Sequence, residues 1–152
     1  MEIRQDDPTA HYVTDLLAYH RQELQSAMAE HAFALDAAGL SAADITFWTA
    51  WQGDALIGFG ALKELDDKHG EVKSMRAAPA ARGRGVGRAV LNHIIAEARL
   101  RGYARLSLET GTATLHAPAI ALYQSAGFKS CGAFAHYQPS PYNQFFRLDL
   151  PS

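Results

Sequence analysis

Residues 79–91, PAARGRGVGRAVL, decide how the rest of this sequence is interpreted. The stretch places three glycines and three arginines within seven residues and then runs into an apolar helical pattern. The first N–H groups of a helix have no intrahelical partner, and the helix start carries partial positive charge. Glycines adopt positive φ and let the backbone approach a ligand closely. We therefore predict a phosphate or pyrophosphate site at residues 83–88, to which Arg82, Arg84 and Arg88 add charge.

Two other phosphate motifs do not fit this stretch. A dinucleotide fingerprint would need a glycine where Arg88 stands and a buried parallel strand before it, whereas KSMRA (73–77) has the pattern of an antiparallel strand. A P-loop needs Gly-Lys-Ser or Gly-Lys-Thr, which is absent from the sequence. Arginines that only face solvent are the remaining alternative, and it is disfavoured because they oppose the helix dipole unless an anion compensates.

The composition indicates one ordinary globular domain spanning residues 1–152. The chain has 48% hydrophobic and 20% charged residues and a formal net charge of -2. This balance argues against a nucleic-acid partner, which calls for a basic excess. The seven histidines lack metal-ligand spacing, so no metal is expected.

Several features that would direct a protein out of the cytoplasm are not found in the sequence. It shows no signal peptide and no apolar run long enough for a membrane span, so no membrane partner is expected. The single cysteine, Cys131, excludes an internal disulfide and fits a cytoplasmic protein. A lone cysteine is more often a core residue than a nucleophile. The oligomeric state stays open, and a homodimer is compatible with the sequence.

Apolar periodicity and turn residues predict a mixed α/β (α+β) layer arrangement. The predicted elements are a strand at 1–5, helices over 9–29 and 31–40, a hairpin from residue 45 around 52–54, a strand over 70–78, a helix from 86 to 102, a strand over 104–111, a helix over 117–127, and strands over 128–137 and 143–150. Alternation in the strand at 70–78 predicts Val72, Ser74 and Arg76 on one face and Glu71, Lys73 and Met75 on the other.

Two motifs carry a resemblance to a known family. EVKSMRAAPAARGRGVGRAVL (71–91) resembles the acyl-CoA-binding signature of the GNAT family of N-acetyltransferases, with Arg82, Gly85 and Gly87 in its R/Q-x-x-G-x-G/A positions. HAPAIALYQSAGF (116–128) is similar to the second conserved block of that family. The resemblance implies the GNAT fold, in which helices flank a mixed, mostly antiparallel central sheet of six to seven strands.

The resemblance implies an acetyl-CoA-dependent acyltransferase. The acetyl group would move to a primary amine of a small molecule, amino acid or peptide by direct attack in a ternary complex, without a metal. The residues that would contact acetyl-CoA are Met75, Arg76 and Ala77 for the pantetheine arm, Arg82, Gly83, Arg84, Gly85, Val86, Gly87 and Arg88 for the pyrophosphate, and His116, which stands where many members have asparagine.

The chemistry needs a base and an acid. An amine with a pKa of about 10 is mostly protonated at neutral pH and must lose a proton before it attacks a thioester. Glu71 and Glu109 are both candidates for the base, and the sequence does not choose between them. Tyr123 resembles the family tyrosine that protonates the leaving thiolate. A covalent route through Cys131 is disfavoured because no base is adjacent to it in sequence.

The acceptor side is predicted less specifically. The candidate acceptor-binding residues are His20, Glu23, Trp48, Trp51, Tyr137 and Tyr142. Two alternatives keep the same fold. One is a protein N-terminal or lysine acetyltransferase, and the other is a non-catalytic acyl-CoA-binding regulatory module.

Overall fold

The computed structural model describes residues 1–28, 37–40, 42–78, 81 and 83–151, without the side chains of residues 19–21, 23–28, 37 and 38. The helix predicted over 31–40 lies outside the described residues except for its last four. Arg82 of the predicted phosphate site also lies outside them.

One sheet organises the described residues and has the order β1-β2-β3-β4-β5-β7-β6. Its strands are β1 (Glu2–Gln5), β2 (Ile45–Gln52), β3 (Ala55–Asp66), β4 (His69–Ala77), β5 (Arg105–Gly111), β6 (Lys129–Cys131) and β7 (Asn143–Asp149). Neighbouring strands are antiparallel except β4 and β5, which are parallel. The prediction of a mixed, mostly antiparallel sheet with six to seven strands is confirmed.

The helices cover the two faces of this sheet. They are α1 (His11–Met28), α2 (Ala37–Leu40), α3 (Val86–Leu100) and α4 (Ala117–Ser125). Apolar residues of α3 and α4 pack on one face in the larger core cluster, whereas Val13 and Leu17 of α1 pack on the other face against Phe47 and Phe59. We call these the α3 face and the α1 face. No helix in the described part of the chain is long and apolar enough to cross a membrane.

The predicted alternation in β4 is wrong beyond Lys73. Ser74 has a positive φ of 52°, and β4 gains one extra residue relative to β3 between the pairs Ala61–Lys73 and Phe59–Arg76. Such a bulge reverses the alternation that follows it. Met75 therefore packs with Val72 on the α3 face, although the sequence pattern had placed them on opposite faces.

The strand predicted over 128–137 is also much shorter than expected. Only Lys129–Cys131 pairs with β7, and residues 132–142 form an irregular segment, which we call the C-terminal loop. Ala135 in this loop has a positive φ of 52°, which is incompatible with continuing a strand. The loop carries Tyr137 back toward β4, as the hydrogen bonds below show.

β4 and β5 separate after a short paired stretch. Their parallel pairing ends at Glu71 and Ser107, although β4 continues to Ala77 and β5 to Gly111. The bulge at Ser74 lies just beyond the last pair, and bulges bend the strand that contains them. The result is an opening between the two strands, with the start of α3 following the end of β4.

Candidate active site

The start of α3 has the geometry expected of an anion site. Gly85 is the N-cap with φ 79°, Gly83 has φ 81°, and no side chain of the described residues caps the helix. A Cβ added at either glycine would meet no atom within 4 Å among the described residues, so both backbones border open space. The first N–H groups of α3 have no partner within the helix and carry its positive end.

Gly87 has a different role from the two glycines before it. Its φ is not positive, and a Cβ there would lie 3.2 Å from Cδ2 of Leu122. The missing side chain thus lets α3 approach α4 closely. Of the predicted arginines, Arg84 is exposed, and Arg88 is exposed with one guanidinium nitrogen 3.4 Å from Oγ of Ser125.

The far end of the opening brings Arg76 and His116 together. Nδ1 of His116 lies 3.5 Å from Oγ1 of Thr110 on β5. Burial, followed by the positive charge of Arg76, lowers the pKa of the His116 imidazole. A neutral imidazole here can accept or donate one hydrogen bond, which fits a contact with the uncharged pantetheine arm.

Glu71 lies at the point where β4 and β5 separate and is only 1% exposed. Nζ of Lys73 lies 3.3 Å from its Oε2, and the hydroxyl of Tyr137 donates to the same oxygen at 2.5 Å. Lys73 also donates to the Tyr137 hydroxyl at 2.9 Å. Oε1 of Glu71 is buried and has no hydrogen-bond partner among the described residues.

Glu109 is the second carboxylate on the α1 side of the opening. Burial raises the pKa of Glu109 to about 7, and repulsion from Glu71 adds to the rise. A hydrogen bond with Asn143 and the charge of Lys73 oppose this shift. The buried Oε2 of Glu109 accepts no hydrogen bond from the described part of the chain. A carboxylate with such a pKa can take up a proton at neutral pH.

Tyr123 lies in α4 on the opposite side of the sheet. It is 8% exposed, packs in the larger core cluster, and its ring lies near that of Phe128. Burial raises the pKa of its phenol to about 12. The hydroxyl therefore keeps its proton at neutral pH and is available as a donor.

The structure does not bring the predicted tryptophans to this site. Trp48 is buried on the α3 face against the ring of His93. Trp51 packs against Tyr12 and lies under the guanidinium of Arg4, at the β1 end of the sheet. The remaining acceptor-binding predictions are His20 and Glu23, whose side chains lie outside the described part of the structure, and Tyr142, which is exposed in the C-terminal loop.

Two site residues were missed in the sequence. Lys73 carried a usable signal, because it stands two residues from Glu71 on one strand and therefore shares its face. Asn143 had no such signal in the sequence. Its side chain contacts Glu109 and the carbonyl of Gln138, and these contacts depend on how the C-terminal loop folds.

Alternative chemistries gain no support from the described residues. Burial raises the pKa of the Cys131 thiol, which disfavours the reactive thiolate, and Cys131 lies on the edge strand β6. Among these residues no group of three or more His, Cys, Asp or Glu side chains could hold a metal ion.

Comparisons with known proteins identify the family of the chain. The model of the Acetyltransferase (GNAT) family matches residues 4–128. The chain is 47% identical to the uncharacterized N-acetyltransferase YsnE of Bacillus subtilis, over 99% of this chain and 100% of that protein. It is 46% identical to the uncharacterized N-acetyltransferase YedL of Escherichia coli, over 97% and 94% of the two chains. A solved structure from Klebsiella pneumoniae that bears the name acyl-CoA N-acyltransferase is 27% identical, with a TM-score of 0.80 over 98% of this chain and 97% of that chain.

Proposed function

Because the chain belongs to the GNAT family of acetyltransferases, we propose that it transfers the acetyl group of acetyl-CoA to a primary amine of a small molecule, amino acid or peptide. The observation that carries this proposal is the opening between β4 and β5. The buried carboxylate of Glu71 and the half-buried carboxylate of Glu109 lie on one side of it, a buried phenol on the other, and a glycine-lined helix start beyond it.

The donor would lie along this opening. Beyond the last β4–β5 pair, the backbone of β4 at Met75, Arg76 and Ala77 would face the pantetheine arm, and His116 would contact the same arm. The pyrophosphate would rest on residues 82–88, where the helix start and arginines offset its charge. Acetyl-CoA itself supplies the activated thioester.

We assign the role of general base to Glu109 rather than Glu71. Oε2 of Glu71 is already engaged by Lys73 and Tyr137, which suits Glu71 to a fixed binding role. Burial instead raises the pKa of Glu109 to about 7, near the pH at which a base is most effective. Glu109 would take one proton from the ammonium, and the nitrogen lone pair would then form a bond to the thioester carbon.

Tyr123 would complete the proton balance. As the C–S bond breaks, its hydroxyl would give a proton to the thiolate of CoA. The second proton lost by the nitrogen would replace the one that Tyr123 gave, so the products are the amide and the free thiol. Its pKa of about 12 keeps the phenol protonated between turnovers.

The enclosure of Glu71 and Tyr123 at the opening supports a small acceptor. Glu71 is 1% exposed and Tyr123 8% exposed, and the C-terminal loop contacts Glu71 through Tyr137. A protein N-terminus or a folded lysine segment would need a wider groove over these groups. An acceptor that inserts a single amine fits better.

A direct test is an acceptor screen with the purified protein and acetyl-CoA. Release of thiol would be followed, and mass spectrometry would locate the new acetyl group. We expect small primary amines to be acetylated on nitrogen. Faster turnover of folded proteins through their N-terminus or lysine would instead favour the protein acetyltransferase. Binding of acetyl-CoA without any acceptor turnover would favour a regulatory module and contradict the proposal.

Three further expectations remain proposals beside this activity. We propose one domain spanning residues 1–152, a cytoplasmic location consistent with the single Cys131, and a homodimer as the oligomeric state to test first. None of them alters the chemistry assigned to the opening.

A further inference from the structure

Glu71, Lys73 and Tyr137 form a closed hydrogen-bonded group, which we call the Glu71 clamp. Glu71 and Lys73 share one face of β4, and both are nearly or fully buried, at 1% and 9% exposure. Lys73 donates to the hydroxyl of Tyr137, and Tyr137 donates to Oε2 of Glu71. Both donors thus act on one oxygen of the carboxylate.

The two carboxylate oxygens of Glu71 differ in their hydrogen bonding. Oε2 receives a cation and a hydroxyl, whereas Oε1 is buried with no donor among the described residues. A buried charged acceptor without a hydrogen bond is costly, so a site of this kind favours a donor from a ligand. Across the opening, Oε2 of Glu109 is likewise buried without a donor among the described residues.

Aromatic packing holds the tyrosine of the clamp in place. The ring of Tyr137 makes an edge contact with Phe134 at 5.2 Å and stacks on His136 at 4.7 Å. It also contacts Phe145 of β7, which pairs directly with Glu109 of β5. The C-terminal loop is therefore tied to the strand that carries the second carboxylate.

A charge count indicates what the ligand should be. Glu71 and Lys73 balance each other, and Glu109 lacks a cation at hydrogen-bond distance among the described residues. An ammonium group would balance Glu109 and offer N–H donors to both free oxygens. An uncharged amine would gain less at Oε1 of Glu71, because hydrogen bonds between charged partners are the stronger ones.

We propose that Lys73 and Tyr137 are positioning residues that hold Glu71 by Oε2, so that Oε1 binds the acceptor as its ammonium form. This inference rests on the proposed acetyltransferase function and specifies the acceptor class: amines that arrive charged, such as alkyl amines. Glu71 anchors the acceptor in this scheme, and Glu109 takes the proton.

The test compares two acceptors on one enzyme. One is an alkyl amine, which is charged at neutral pH, and the other is an aniline, which is uncharged. For Tyr137→Phe we expect the KM of the alkyl amine to rise roughly tenfold, the effect of one hydrogen bond to a charged group. The KM values of the aniline and of acetyl-CoA should change less than about twofold.

Lys73 provides a second variant with a conservative rescue. In Lys73→Met, Glu71 loses the cation beside Oε2, so the KM of the alkyl amine should rise more than in Tyr137→Phe. Lys73→Arg keeps the charge and should restore most of the affinity. The charged or titratable groups that act on Glu71 are Lys73 and His69 of β4, Glu109 of β5 and Tyr137 of the C-terminal loop.

The possible outcomes distinguish a failure of this inference from a failure of the proposed acetyltransferase function. A selective rise in KM for the charged acceptor, with rescue by arginine, supports the clamp. If wild-type enzyme acetylates amines but the variants affect both acceptors equally, or lower only kcat, the clamp is wrong and the function stands. Failure of wild-type enzyme to acetylate any amine would overturn both.

Discussion

The Tyr137 hydroxyl lies 2.5 Å from Oε2 of Glu71, although 66 residues separate them in the chain. This bond fixes the C-terminal loop over the point where β4 and β5 separate. It also occupies the carboxylate that the sequence ranks level with Glu109 as a base. Together with Lys73 at the same oxygen and the burial of Glu109, this contact is the basis for the roles proposed for the two glutamates.

Replacing Tyr123 with phenylalanine tests the proposed acid. We expect kcat to fall by roughly 10² to 10⁴, the usual contribution of a general acid, with little change in either KM. Steady-state kinetics with an alkyl amine measures this. Tyr12→Phe is a matched control on the exposed surface and should keep full activity. A Tyr123→Phe enzyme with unchanged kcat would remove Tyr123 from the mechanism.

The anion site can be tested with a pair of matched glycines. Gly85 and Gly53 both have positive φ, 79° and 59°, and an added Cβ would meet no described atom at either position. Valine at either position should therefore cost a similar ~1–2 kcal/mol of backbone strain. Only Gly85→Val should weaken the binding of CoA in calorimetry, because Gly53 lies in the β2–β3 turn. Equal affinities in the two variants would argue against a donor site at the start of α3.

The helix starts and ends were predictable because their signals are local. Gly102 follows α3 and Gly127 follows α4, both with positive φ, and in each case the next residue donates to a carbonyl five positions back. These are the hydrogen bonds of a glycine-terminated helix, which a short stretch of sequence specifies.

The features that could not be predicted from the sequence depend on contacts between distant segments. The bulge at Ser74 adds a residue without any glycine or proline to mark it, so the alternating pattern misassigned Met75. The C-terminal loop reads as a strand because its aromatic residues suit one, yet those residues pack on each other and on Phe145. The difference between Glu71 and Glu109 likewise depends in part on Tyr137, whose position no local pattern reveals.

Replacing Glu109 with glutamine should change how stability depends on pH. The pKa of Glu109 is raised from 4.5 to about 7 by folding, so the folded state binds the proton more tightly than the unfolded state. The free energy of unfolding should therefore decrease as the pH rises from about 4.5 to about 7, by roughly 1–3 kcal/mol for this group. Glu109→Gln lacks this loss and should gain stability relative to wild type between about pH 5 and pH 8.

Urea denaturation at these two pH values measures the effect. Glu2→Gln, at an exposed carboxylate of β1, provides the control and should follow wild type at both. A constant difference between Glu109→Gln and wild type would show that burial does not raise the proton affinity of Glu109.

The most direct measurement is the pH dependence of kcat/KM for N-acetylation of an alkyl amine, with the product confirmed by mass spectrometry. For wild-type enzyme we expect kcat/KM to rise and level off through about pH 7, as Glu109 loses its proton. Glu109→Gln should lose this step and fall by roughly 10² to 10⁴. A step near pH 7 that persists in Glu109→Gln, or that disappears instead in Glu71→Gln, would contradict Glu109 as the base of an amine acetyltransferase.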